Sequence, residues 1–229
     1  MATKPKNPEY LSPRGIFKYP SLNTPDYGND TVPIPNGVFK TGIIVSLEDA
    51  QDLINKLMPV YEDALNEGRQ KFKDLPIPAR KKLGEVTANM FYETEYDKET
   101  EEETGNVIFK AKTNYRRVNK KTKEVTFGKI TLVDAKGKPF PKALVIYGGS
   151  EGRISFTTSP YFVTGTGMVG ISLYLNAVQI IKHVGPGERT GASIGFDVED
   201  GYDASDYVAP EEDGDGSPSP SSNGNPEDF

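Results

Sequence analysis

A chain of 229 residues with 35% hydrophobic content can bury one sizeable core and has no apolar run long enough to cross a bilayer, so one domain with extensions and no membrane span is expected. Cysteine is absent and His183 is the only histidine, which removes disulfides, thiol nucleophiles and His- or Cys-rich metal sites together. Residues 197–229 hold eleven Asp or Glu and no Lys or Arg, and taking these from the net −6 leaves residues 1–196 at +5. This split fits a polyanion-binding body with an acidic interaction tail, and equally a tail that only keeps the protein soluble. Residues 1–8 are polar, lysine-containing and broken by proline, with none of the apolar character that export requires, which points to the cytoplasm where the chain is made.

In chain order, residues 1–36 contain seven prolines, with Lys4, Lys6, Arg14 and Lys18 near Tyr10, Phe17 and Tyr19. They predict an extended N-terminal arm that does not pack but can touch a ligand. The body is expected over residues 37–196, opening with a strand over 37–45 in which Phe39, Ile43 and Val45 share a face. Ser46 then reads as an N-cap with Asp49 three residues on. Leu47, Ala50, Leu53, Ile54, Leu57, Tyr61, Ala64 and Leu65 follow at helical spacing, giving one amphipathic helix to about Lys73. Pro59 inside it predicts a kink or a break. Residues 74–84 read as a basic, proline-containing loop. Residues 93–103, with seven carboxylates against one lysine, read as a solvated loop without a catalytic role.

The stretch 107–117 carries more information. Val107, Phe109, Ala111 and Thr113 fall on one face, and Lys110, Lys112, Asn114 and Arg116 on the other, so one side is core and the other a cationic ribbon. A basic turn over 119–123, a further strand over 125–133 and a polar turn over 134–138 follow. Ile154, Phe156 and Thr158 then alternate with polar residues up to Pro160, and Ile171, Leu173, Leu175 and Ala177 do so again. These two strands predict a loop carrying Tyr161 and Phe162, whose rings either pack into the core or stay open to a planar ligand. Gly165-Thr166-Gly167-Met168-Val169-Gly170 has the spacing of a dinucleotide-binding loop, but a strand follows where that chemistry needs a helix N-terminus, so it reads as a strand connection. The alternation slips at Ala177-Val178, which marks a candidate bulge, and His183 reads as structural or surface.

The pattern is mainly β: an OB-like five-stranded barrel with one substantial α-helix and a disordered acidic C-terminal tail over 197–229. A cationic strand face beside aromatic rings suits single-stranded nucleic acid, where each base stacked on a ring contributes on the order of 1–3 kcal/mol whatever the base. Duplex binding would use a groove-reading helix, and this helix carries Glu48, Asp52, Glu62 and Asp63 outward. The alternative is a β-rich structural or adaptor protein that uses its tail for protein interaction. An enzyme is the weakest reading, because no catalytic residues, metal site or cofactor site can be assembled.

Pro25-Asp26-Tyr27-Gly28-Asn29, Gly37-Val38-Phe39-Lys40, Phe109-Lys110-Ala111-Lys112, Lys120-Lys121-Thr122-Lys123-Glu124, Asp134-Ala135-Lys136-Gly137-Lys138, Gly148-Gly149-Ser150, Pro160-Tyr161 and the terminal Glu227-Asp228-Phe229 occur in order over nearly the whole chain. Together they resemble the single-stranded DNA-binding proteins of T7-like bacteriophages. The resemblance implies a homodimeric OB-fold protein of phage DNA replication, recombination and repair in the cytoplasm of the infected bacterial host. It implies coating and annealing of single strands, and recruitment of the phage DNA polymerase and primase-helicase through the tail. It also implies that Lys112, Tyr161 and, at the N-terminus, Lys4 contact DNA, and that Phe229 with Asp228 binds the partners. With the strand face and loop aromatics, the candidate DNA-binding set is Lys4, Lys110, Lys112, Asn114, Arg116, Tyr161 and Phe162.

Overall fold

The computed structural model describes residues 8–119 and 121–185, so the expectations placed on Lys4, Lys120, Asp228, Phe229 and the segment 197–229 lie outside the described residues. In chain order the elements are β1 (Glu9–Leu11), β2 (Gly15–Gly28), β3 (Pro33–Ser46), α1 (Leu47–Lys73), α2 (Ile77–Leu83), β4 (Thr87–Ala88) and β5 (Glu93–Tyr96). They continue with β6 (Glu103–Asn114), β7 (Arg116–Val118), β8 (Val125–Phe127), β9 (Thr131–Val133), β10 (Glu151–Val163) and β11 (Met168–Lys182).

Five strands close on themselves in the order β2-β3-β6-β11-β10, with β10 returning to β2. Every pairing in the ring is antiparallel except β6 with β11, where Ala111 faces Leu173 in parallel. This is the predicted OB-like barrel, and closure leaves its principal strands without open edges. Phe17, Ile43, Phe109, Ile154, Phe156 and Leu175 fill its interior. Each such side chain contributes roughly 1.5–3 kcal/mol on leaving water. The short strands β4 and β9 add in parallel to β11, β5 adds to β6, and β7 and β8 form a separate hairpin.

Helix α1 lies between β3 and β6 in the chain. Its N-cap is as expected: Ser46 Oγ accepts from the Asp49 amide at 3.1 Å and donates to the Asp49 carboxylate at 2.7 Å. Ala50, Leu53, Ile54, Leu57, Tyr61 and Ala64 form the buried stripe. The expected break at Pro59 does not occur, since the helix runs unbroken through it. Pro59 and Asn55, whose carbonyl loses its donor, are both on the exposed face where water can take the free acceptor.

At Gly68 the helix comes so close to the barrel that a Cβ there would stand 2.6 Å from Val169 Cγ1 and closer still to Cγ2. Val169 is fully buried and cannot swing aside. Gly68→Ala is therefore predicted to lower stability by ~1 kcal/mol or more, because overpacking outweighs the better helix propensity of alanine. A rise in thermal midpoint would contradict so tight an approach of helix to barrel.

Several expectations are corrected. Residues 9–28 are not an unpacked arm: β1 pairs with β10, β2 is a barrel strand, and Phe17 and Leu22 are buried. Ser12 seals this segment, donating its amide to the Ile154 carbonyl at 2.9 Å and accepting the Ile154 amide on Oγ at 3.0 Å. Residues 77–83 of the supposed basic loop form α2, with proline in the first turn, where its missing amide hydrogen costs nothing. The acidic stretch is strand β5 followed by a tight turn in which Asp97 accepts the Glu99 and Thr100 amides. Residues 125–133 are two strands in different sheets. Strand β10 continues through Pro160 to Val163, so Tyr161 and Phe162 are strand residues and the loop is the turn at 164–167. The bulge in β11 does exist: Ser155 pairs Ala177 and Phe156 pairs Leu175, leaving Asn176 as the extra residue. His183 is structural, with Nε2 2.8 Å from the Val145 carbonyl oxygen and its ring 5.7 Å from that of Phe140.

Candidate nucleic-acid interface

The outward faces of β2, β3 and β6 carry the positive charge, and strand register decides how it is spaced. Lys40 pairs directly with Lys112, while Gly42 pairs with both Lys18 and Lys110. Neighbouring strands lie about 4.8 Å apart, so Lys40 and Lys112 are two like charges facing each other. Such a cross-strand pair destabilises a sheet unless an anion lies between or beside them.

Three carboxylates, one on β2 and two on β5, supply part of that compensation. Lys40 forms a short ion pair with Asp26, Lys110 lies 2.5 and 2.7 Å from the two Glu93 oxygens, and Lys18 lies 3.3 Å from Glu95. The Lys40 hydrogen bond, helped by the Gly28 amide, holds the Asp26 carboxyl below its ordinary value. Glu95 is fixed further by Asn106 Nδ2 at 3.1 Å and Thr104 Oγ1 at 3.2 Å. Among the described residues Lys112 has no carboxylate partner and is exposed, so it remains open to an anion from solution.

These lysines border an open groove of about 740 Å³ that Met90, Phe91, Tyr92 and Tyr161 also line. Tyr161 faces Gly170 on β11, and a Cβ at that glycine would stand 2.8 Å from the Tyr161 hydroxyl oxygen. The missing side chain is what lets the ring lie across the neighbouring strand. The hydroxyl accepts from Asn89 Nδ2 at 2.5 Å, which fixes the free end of the ring. Behind it, Tyr61 and Phe91 pack edge to face at 5.6 Å, and burial, with Tyr161 nearby, pushes the Tyr61 phenol above its ordinary value. The groove therefore offers a row of cations beside a positioned, half-buried ring.

Of the sequence-predicted residues, Lys110, Lys112 and Tyr161 line this groove together. Phe162 does not line the groove but a second depression of about 420 Å³, with Lys71, Leu75 and Thr164, which adjoins the groove at Tyr161. Asn114 and Arg116 lie beyond the groove, at the end of β6 and the start of β7, and Arg116 donates to Asn36 Oδ1 at 3.3 Å. The candidate set omitted Lys18, Lys40 and Asn89, although Lys18 stood in the arm expected to touch a ligand. The alternation in β3 that puts Phe39, Thr41 and Ile43 inward puts Lys40 outward, so that lysine was readable, whereas Asn89 joins the site through tertiary contact alone. Glu48, Asp52, Glu62 and Asp63 on α1 are exposed, which keeps that face hostile to phosphate. Among the described residues no three or more His, Asp or Glu side chains cluster to hold a metal ion, and no helix is long and apolar enough to cross a membrane.

Glu93 and Lys110 form an exposed pair, which contributes at most ~1 kcal/mol to stability. Glu93→Gln should leave the fold intact and free Lys110 for the groove. The expected result is an affinity gain for an oligonucleotide of up to about fivefold at low salt, fading as salt screens the charges. Equal affinity for wild type and variant at low salt would remove Lys110 from the ligand path.

Comparison with known proteins agrees with this geometry. Residues 15–183 match the family described as single-stranded DNA-binding protein, bacteriophage T7. The single-stranded DNA-binding protein of Enterobacteria phage T3 is 28% identical over 213 residues, covering 88% of this chain and 88% of that protein. That of Escherichia phage T7 is 26% identical over 172 residues, covering 72% and 71%. The crystal structure of the phage T7 protein superposes with a TM-score of 0.63 at 22% identity, covering 87% of this chain and all of that one, a likeness of fold. With that match spanning the barrel from its first strand to the end of its last, this chain belongs to the bacteriophage T7 single-stranded DNA-binding protein family.

Proposed function

We propose that the protein binds single-stranded DNA in the groove between Lys112 and Tyr161, without marked sequence preference, during phage replication and recombination. The observation that carries this reading is the pairing of an unneutralised lysine with a tyrosine positioned over a glycine, in a chain of this family. Lysines follow the phosphates by charge, and a ring stacks on any base, so binding needs no base-specific hydrogen bond. The protein acts by binding, like its named relatives, and not by catalysis.

In this reading the protein works in the cytoplasm of the infected host as a homodimer that coats and anneals single strands. The tail, with its eleven carboxylates and terminal Phe229, recruits the phage polymerase and primase-helicase. A segment tethered to the body is held at high local concentration near it. A −11 segment tethered to a +5 body should compete with DNA for the lysines. Truncation after Phe196 is expected to raise single-strand affinity, most at low salt where screening is weakest. Phe229→Ala keeps all that charge, so it should leave DNA affinity near wild type while weakening the polymerase or helicase complex. Fluorescence titration with oligo-dT and a parallel partner-binding assay on the three proteins test both roles. If Phe229→Ala changes DNA binding as much as truncation does, the two roles are not separable.

A further inference from the structure

In a regular strand successive side chains point to opposite faces, so with Phe17 buried inside the barrel and Lys18 directed to the groove, Tyr19 should point inward. It does not. Tyr19 lines the groove beside Lys18 and is 70% exposed. The register shows how. Lys18 pairs Gly42 and Ser21 pairs Lys40, so Tyr19 and Pro20 together face Thr41, which is a β-bulge. Bulges re-aim side chains, and this one does so through a backbone φ of +50° at Tyr19.

That conformation is costly for a bulky L-residue, since the left-handed region brings Cβ against the following carbonyl. The proline that follows restricts the backbone of Tyr19 further. Glycine would sit there without strain. Nor does the side chain recover the cost within the protein: among the described residues its ring makes no aromatic contact and its hydroxyl no hydrogen bond. A strained backbone that presents an unpartnered ring to a ligand groove is the kind of outlier that accompanies binding sites. The strand order β2-β3-β6-β11 puts Tyr19 at one margin of the groove, with Lys40 and Lys112 between it and Tyr161, which reaches over β11 from β10.

We propose that Tyr19 is a second base-stacking residue for the single strand, held open by the Tyr19-Pro20 bulge at the margin opposite Tyr161. The inference rests on the reading of the groove as the single-strand site. Phosphates between the two stacked bases lie over the lysine rows, so both rings and both lysines serve one strand.

The test compares wild type, Tyr19→Ala, Tyr19→Gly and Tyr19→Phe in equilibrium binding to labelled oligo-dT and to an abasic phosphodiester strand of the same length, with thermal midpoints recorded. Loss of one stack should lower oligo-dT affinity about fivefold or more in the Ala and Gly variants and change it little in Phe. Abasic affinity should be the same in all four, because the ring has no base to cover. The midpoint of Tyr19→Gly should equal or exceed wild type, since glycine accepts the positive φ, and this separates lost stacking from lost fold. Equal oligo-dT affinity for wild type, Ala and Gly overturns the proposal, as does an equal loss on both strands. If wild type itself fails to bind oligo-dT, the single-strand reading fails, and the proposal with it.

Discussion

Lys112→Ala is expected to weaken single-strand binding and to flatten its salt dependence while leaving the fold as stable as before, or slightly more so. The two effects have opposite signs for one reason. In the free protein Lys112 faces Lys40 across the strand pair with no carboxylate of its own, so its removal relieves repulsion. In the complex the same ammonium neutralises a phosphate. Two unit charges at contact attract by ~1 kcal/mol in water and by ~4 kcal/mol at the lower effective dielectric of a protein surface, so the cost to binding lies between these limits at low salt. For single strands the slope of log K against log salt should become shallower by about 0.7 for the one phosphate that is no longer neutralised. Lys40→Ala should cost less, because binding must first loosen its ion pair with Asp26. Salt titrations of the two variants read both quantities. If the Lys112→Ala slope equals that of wild type, Lys112 touches no phosphate.

Tyr161→Ala is expected to cost ~1–3 kcal/mol of binding, the contribution of one base stacked on one ring. Tyr161→Phe keeps the ring and gives up the hydrogen bond from Asn89, so its effect should be a fraction of that. Gly170→Ala supplies an independent test. Its added Cβ would fall 2.8 Å from the Tyr161 hydroxyl oxygen and 2.6 Å from the Asn89 carbonyl oxygen, forcing the ring from its seat with the tyrosine still present. Affinity should then fall as it does in Tyr161→Ala, with some loss of thermal stability from the shifted backbone. Should Phe and Ala at position 161 cost equally, the hydroxyl is the working group and stacking is not.

The sequence made the barrel strands legible wherever one face is core and the other is water. In β6 the alternation of Val107, Phe109, Ala111 and Thr113 with Lys110 and Lys112 is a direct consequence of period two, and the register of the structure repeats it residue for residue. The same logic failed for β2, whose prolines read as an arm. Pro20 stands where pairing with β3 is interrupted, and Pro25 between two paired residues at another interruption, so neither has to donate to the ladder. Strand β5 was hidden for another reason. Its carboxylates suggested solvent, but Glu93 and Glu95 lie against lysines of β6 and β2, and long-range ion pairing leaves no local pattern. Pro160 suggested a strand end because it cannot donate a hydrogen bond, yet it pairs Ile171 with its face exposed and the strand runs three residues further. Of the site, the half built from alternation was readable and the half built from tertiary contacts was not. Lys112 belongs to the first, and Asn89 and the bare Gly170 under Tyr161 belong to the second.

In this reading a single strand lies across the β3–β6 face from the lysine rows to Tyr161. Photo-cross-linking of the full-length protein to an oligonucleotide carrying 5-iodouracil, followed by mass-spectrometric assignment of the linked residue, tests it most directly. Cross-links are expected on Tyr161 and on the outward residues of β3 and β6, abolished by unlabelled oligo-dT. Cross-links concentrated instead on the exposed acidic face of α1 or on β1, with none on β3, β6 or Tyr161, would contradict it.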